Sequence, residues 1–281
     1  MTDMLCQAEP VIHAVNKPRI ALMGEFSAGK STLANLLLAQ QHSPVQVTAT
    51  QLPPVWYRHG SSGAHRVSLA GERADIPAEN WAKVSTQDTQ LIEVSLEADI
   101  LDRADLIDMP GTSDPNLEIP YWKTILPQVD IAVWCTPANQ AWRQSEAALW
   151  ADVPDVLKSR SLLLITRMDK IRNAIDGARI LQRVRQEAEG QFAAVLPVSL
   201  TQAMTAGDDE GALESCGAAD LIGFLHSALD SARRTARPDF VPFVQPKEAT
   251  PLPDQSPQSM PRSAIRRITP RRVITKRLSP S

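Results

Sequence analysis

The stretch Gly24-Glu25-Phe26-Ser27-Ala28-Gly29-Lys30-Ser31-Thr32 restricts what this chain can fold into more than any other. It follows the apolar run Ile20–Met23 and opens a helical pattern with Leu33, Leu36 and Leu37 at i, i+3 and i+4. The order is strand, glycine loop, helix, which is the setting of a phosphate-binding loop. Gly24 and Gly29 let backbone N–H groups turn inward around phosphate oxygens. The helix starting near Lys30 adds its N-terminal partial positive charge. In such a loop Lys30 brings a mobile cation to the β- and γ-phosphates, and the Ser31 hydroxyl reaches a phosphate-bound Mg²⁺. A glycine turn that ends in Lys-Ser by coincidence has no reason to sit between a strand and a helix.

The rest of residues 18–237 alternates short apolar runs with amphipathic ones. Strand patterns lie at Ile20–Met23, Pro54–Arg58, Leu91–Leu96, Leu106–Asp108, Asp130–Cys135, Leu162–Thr166 and Val195–Ser199. Helical patterns lie at Ser31–Gln40, Ser145–Trp150, Ile180–Ala188 and Leu221–Leu229. This predicts an α/β fold of the P-loop NTPase type, an open and mostly parallel sheet flanked by helices, with nucleotide at the carboxyl ends of the strands. The interval His59–Gln90, with Gly60, Gly63 and Gly71, reads as a loop or hairpin insertion. Residues 1–17 form an N-terminal extension without the apolar stretch of a signal peptide. From Pro238 the prolines at 238, 242, 246, 251, 253, 257, 261 and 270 forbid a long helix, so 238–281 reads as a disordered tail.

Charge separates that tail from the body. The net charge is −3, yet Arg262, Arg266, Arg267, Arg271, Arg272, Lys276 and Arg277 follow the last acidic residue, Asp254. A basic end on an acidic body points to an anionic partner, either a membrane surface or an acidic protein. Aromatics stop after Phe243, which argues against nucleic acid. Cys6, Cys135 and Cys216 have no metal or disulfide spacing, and no run approaches a membrane span, so the chain reads as cytoplasmic, at most peripheral to a membrane.

Further landmarks follow in the order a guanine-nucleotide switch needs. Asp108-Met109-Pro110-Gly111 comes directly after an apolar strand, with Asp108 placed to hold Mg²⁺ through its water shell and the Gly111 N–H to meet the γ-phosphate. Thr166-Arg167-Met168-Asp169 ends another strand and matches a base-reading pattern. Its carboxylate, Asp169, can accept from N1–H and the exocyclic amine of guanine, a donor pair adenine lacks. Arg167 stands where Lys is usual, and its planar guanidinium suits the purine face. Ser199 ends the last strand at the guanine-side loop, with Leu200 where Ala is usual. The switch threonine, a Mg²⁺ ligand of the triphosphate state, is Thr50 or, as second choice, Thr48. The phosphate loop as a whole, Gly24 to Thr32, cradles GTP or GDP.

The run Gly-Glu-Phe-Ser-Ala-Gly-Lys-Ser-Thr-Leu-Ala-Asn resembles the bacterial dynamin-like GTPases, and the segments Glu93–Gly111 and Ile125–Glu146 are similar to the strands that follow in that family. The resemblance covers 18–237 and implies a dynamin-type G domain that hydrolyses GTP with Mg²⁺, with Lys30, Ser27 and Thr50 in catalytic roles. It also implies a monovalent cation, K⁺ or Na⁺, beside Ser27, and a homodimer through the G domain. Two departures stand out. Phe26 occupies the place of a polar residue that positions the attacking water, and Thr112, not Gln, follows Gly111. Hydrolysis is therefore expected to be slow until pairing or a partner completes the site. Nothing after Pro238 can build the family's stalk helices. The competing readings are a nucleotide-binding adaptor that does not hydrolyse, recruiting a partner or a longer dynamin-like protein through its tail, and an ATPase if Asp169 has another role.

Overall fold

The computed structural model describes residues 17–38, 52–77, 80, 84–112 and 125–232. Residues 1–16 of the extension, Thr48, Thr50 and the Pro-rich tail lie outside the described residues.

Nine strands form one sheet in the order β4-β3-β5-β2-β6-β1-β7-β8-β9. They are β1 (Arg19–Gly24), β2 (Val55–His59), β3 (Gly63–Ser68), β4 (Arg73–Asp75), β5 (Thr89–Leu96), β6 (Asp105–Asp108), β7 (Ile131–Pro137), β8 (Leu162–Thr166) and β9 (Ala194–Pro197). β1 is parallel to both β6 and β7, and β7, β8 and β9 continue in parallel. β2 to β6 lie on one side of β1 and β7 to β9 on the other, so the strand order switches at the end of β1, where Gly24 stands. An open α/β sheet receives its ligand at such a switch point.

The His59–Gln90 insertion is a hairpin. β3 and β4 pair antiparallel and β3 lies antiparallel on β5, which widens the sheet at its far edge. β2 is parallel to β5 but antiparallel to β6, so the sheet is mixed on that side and parallel around the nucleotide end.

Period-two burial divides the core into two layers. Ile20 and Leu22 of β1, with Val133 and Cys135 of β7 and Leu162 and Leu164 of β8, face α1 (Lys30–Leu37) and the last helix, Ala218–Ala232. That helix lays Leu221, Leu225 and Leu229 on the sheet, the stripe its spacing predicts. Ala21, Met23, Ala132, Trp134, Leu163 and Ile165 face the opposite layer, where Trp150 and Val184 come from the helices Gln144–Ala151 and Ala174–Glu187. In chain order the helices are α1, α2 (Asp99–Arg103), α3 (Gln144–Ala151), α4 (Asp155–Lys158), α5 (Ala174–Glu187), α6 (Leu200–Ala206), α7 (Glu210–Ser215) and α8 (Ala218–Ala232). Cys135 is fully buried in this core, and burial pushes its thiol up to about 12. Among the described residues no helix is long and apolar enough to cross a membrane.

Candidate nucleotide site

The loop from Gly24 to Gly29 leaves β1 through backbone angles that fix its residue types. Gly24 has φ +133°, and a Cβ there would lie 2.2 Å from the Cys135 carbonyl oxygen, so β7 passes too close for any side chain. Gly29 has φ +99° and hands the chain to α1. Ser27 holds a positive φ without being glycine, a conformation the surrounding loop has to enforce. Ala28 is fully buried, and its N–H donates to the Glu25 carbonyl, closing the turn at 3.2 Å. Leu200, in the place usually given to Ala, is buried with its Cδ1 within 3.4 Å of where a Cβ on Gly29 would stand, so it backs the loop with the Thr166 side chain.

Lys30 is buried, and its ammonium donates to the Gly24 carbonyl at 3.0 Å and the Glu25 carbonyl at 2.8 Å. Burial lowers its pKa, against the opposing pull of Asp108, Cys135 and Glu25. Ser31 donates through Oγ to Asp108 Oδ2 at 3.0 Å. That bond joins the start of α1 to the end of β6. Burial raises the Asp108 carboxyl to about 6, although Lys30 and Ser31 pull it down. Its second oxygen, Oδ1, is buried with no hydrogen-bond partner among the described residues. A carboxylate oxygen left over beside a serine hydroxyl and a lysine fits a hydrated divalent cation carried by phosphates. Ser31 and Asp108 of the expected metal set are thus adjacent, while Thr50 lies outside the described residues. Gly111 packs directly on the phosphate loop: a Cβ there would stand 2.9 Å from the Phe26 amide nitrogen. Phe26 itself is 53 % exposed. Thr32, on the first turn of α1, completes the loop region.

The segment expected to read the base is bonded to that loop. Thr166, buried at the end of β8, donates through Oγ1 to the Ala28 carbonyl at 2.7 Å. Arg167, in the left-handed region at φ +59°, donates from Nη2 to the Ser27 carbonyl at 2.5 Å. Asp169 accepts from Ser199 Oγ at 3.0 Å and forms an ion pair with Lys170 at 3.2 Å. Burial pushes its carboxyl up, but Lys170 and Ser199 outweigh that and hold it below the usual carboxylate range. Ser199 is 2 % exposed; β9 stops at Pro197, Val198 still donates its N–H to the Ile165 carbonyl at 2.8 Å, and Ser199 turns to cap α6, where the expectation ran the strand through Ser199. The residues expected on the phosphate, metal and base sides, from Gly24 to Ser199, thus converge at the carboxyl ends of β1, β6 and β8.

Sequence reasoning missed the neighbours of Glu25. Its side chain turns toward the segment after β7, pairing with the Arg143 guanidinium and accepting from Ser145 Oγ at 3.0 Å. Arg143 is in turn anchored by its N–H to Glu146 Oε2 at 2.9 Å. Glu146 is completely buried and also accepts from Trp134 Nε1 at 2.9 Å and Thr136 Oγ1 at 3.0 Å. The one available signal was Glu146 three residues after the helix cap at Arg143, the spacing of a capping box.

Comparison with known proteins agrees with the geometry. Residues 20–168, a little over half of the chain, match the model of the Dynamin family. The isoniazid-induced protein IniC of Mycobacterium tuberculosis is 33 % identical over 123 residues, 40 % of this chain and 24 % of that protein. Dynamin-like protein 2 of Campylobacter jejuni is 24 % identical over 213 residues, 73 % of this chain and 34 % of that protein. Among solved structures, two of an oligomerised bacterial dynamin pair superpose with TM-scores of 0.56 and 0.55 at 20 % and 18 % identity, over 78 % of this chain and 36 % of theirs. The chain therefore spans about a third or less of the length of these curated relatives.

Proposed function

The chain belongs to the Dynamin family, and from that premise we propose that it binds GTP and Mg²⁺ and hydrolyses the nucleotide to GDP and phosphate. The observation that carries this reading is the Thr166–Arg167–Asp169–Ser199 cluster. Two of its members are hydrogen-bonded to the phosphate loop, and Ser199 fixes the carboxylate that discriminates guanine.

In the proposed reaction Lys30 exchanges the Gly24 and Glu25 carbonyls for β- and γ-phosphate oxygens and offsets the charge that develops there. Ser31 and Asp108 would hold Mg²⁺, which when bound would neutralise phosphate charge. The Gly111 N–H meets the γ-phosphate. Water attacks the γ-phosphorus, the bond to the β,γ-bridging oxygen breaks, GDP leaves with that electron pair, and the proton of the water ends on the phosphate product. Asp169 accepts from guanine, with Arg167 bracing the loop beneath it. Thr50, the expected switch threonine, would be a further ligand of that Mg²⁺ in the triphosphate state. A monovalent cation beside Ser27 would share that residue with the Arg167 guanidinium already on its carbonyl, and no step uses it.

The apolar Phe26 at the mouth of the loop supports two finer readings. A second G domain or another partner supplies the missing water-orienting group, an effect of about 10³–10⁵ in related switches; alternatively, the chain is an adaptor that binds GTP and releases it intact. The basic tail, on either reading, is the segment suited to an anionic membrane surface or an acidic partner protein.

Competition binding tests the assignment of the base. GDP should displace a labelled guanine nucleotide while ADP does not, and Asp169→Asn should erase the difference. Equal displacement by ADP would turn the proposal toward an ATPase.

A further inference from the structure

Thr112 follows Gly111 in the place where switch proteins of this class carry a glutamine, and its backbone is tied to the phosphate loop. Its N–H donates at 3.2 Å to the Gly24 carbonyl, the same oxygen that receives the Lys30 ammonium at 3.0 Å. Thr112 and Lys30 thus converge on one atom of the phosphate loop. The turn before Thr112 is pressed on that loop as well, since Gly111 leaves no room for a Cβ against Phe26. Thr112 Oγ1 is buried and has no hydrogen-bond partner among the described residues. Asp108 Oδ1, four residues earlier on the other side of the same turn, is in the same condition. A buried hydroxyl with unused donor and acceptor capacity is costly to keep in a folded protein, and beside a phosphate-binding loop a bound phosphate is a partner that would satisfy it.

We infer that the Thr112 hydroxyl is a ligand of the nucleotide's third phosphate, reading GTP against GDP beside the Gly111 N–H. The chemistry suits the place: a γ-phosphate oxygen is an anionic acceptor, and threonine Oγ is a neutral donor that adds no charge to a site already holding Lys30. The inference rests on the guanine-nucleotide reading above, but it holds whether or not the bound GTP is hydrolysed.

The test measures equilibrium affinity of the full chain for GDP and for a non-hydrolysable GTP analogue, both with Mg²⁺, in wild type, Thr112→Val and Thr112→Ser. Valine keeps the volume and removes the hydroxyl; serine keeps the hydroxyl. Thr112→Val should lose about tenfold to hundredfold in affinity for the analogue, the worth of a hydrogen bond to a charged acceptor, while its GDP affinity stays within about twofold. Thr112→Ser should keep both affinities within about threefold. An unchanged analogue-to-GDP ratio in Thr112→Val would overturn the inference. So would loss of both nucleotides alike in Val and Ser, which marks a packing role. If wild type binds neither nucleotide, the guanine-nucleotide reading itself falls, a result distinct from either of these.

Discussion

Replacing Asp108 by Asn should stabilise the protein while weakening its ligand. The Asp108 side chain is partly buried with its Oδ1 shut off from solvent, and burial raises the carboxyl from 3.8 to about 6 even with Lys30 and Ser31 pulling the other way. Because the folded value lies above the unfolded one, the native state holds the extra proton between those pH values, and stability falls as pH rises through that window. Keeping the group ionised at pH 7.5 then costs about 3 kcal/mol, taking each pKa unit as about 1.36 kcal/mol. Asn has nearly the same shape and still accepts from Ser31, so Asp108→Asn should recover about 2–3 kcal/mol at pH 7.5 and almost none near pH 4. For a domain of this size that raises the melting temperature by roughly 4–12 °C at the higher pH. Urea unfolding without nucleotide, in both proteins at pH 4.5 and 7.5, gives the comparison directly. The difference between the two proteins matters, since Asp105 is also raised by burial and titrates in both. Greater stability of wild type at pH 7.5, or a gap that does not shrink on acidification, would refute this reasoning. Mg²⁺-dependent nucleotide affinity should meanwhile drop at least tenfold, because the unpartnered Oδ1 is the atom the substitution takes away.

Three other substitutions probe separate parts of the site. Ser199→Ala removes the 3.0 Å hydrogen bond that orients Asp169 and should weaken guanine binding about three- to tenfold, with adenine nucleotides unaffected in competition assays. Arg143→Glu should lower nucleotide affinity by setting a carboxylate against Glu25, and the double variant Glu25→Arg/Arg143→Glu should recover part of it; no recovery would mean that the pair does not hold the loop. Glu146→Ala strands the Trp134, Thr136 and Arg143 donors in the core and should cost about 3–5 kcal/mol by denaturant unfolding, among the largest effects of any single change.

The strands around the nucleotide were legible because each is a short apolar run bounded by a polar or glycine turn; Leu162–Thr166 matches to the residue. The loop from Gly24 to Gly29, Asp108, Gly111 and Asp169 stood out in the sequence because the proposed chemistry demands particular residue types beside strand ends, and the fold does put them at strand ends. What stayed hidden depends on long-range contact. Glu25 reads as one more loop residue until β7 brings Arg143 and Ser145 to it across more than a hundred positions. Thr112 looks like the lack of a glutamine until its N–H is seen on the Gly24 carbonyl. The antiparallel placement of β2 on β6 leaves no trace in period-two alternation, which is the same for either direction. α6 and α7 have seven and six residues, too few to repeat a helical stripe.

GTP turnover per molecule, followed over a hundredfold range of protein concentration with Lys30→Ala as blank, bears most directly on the proposed activity. Phosphate release should vanish in Lys30→Ala and rise per molecule with concentration, as a second G domain supplies what Phe26 does not. Tight GTP binding with turnover no greater than the blank at every concentration would contradict it and leave the adaptor.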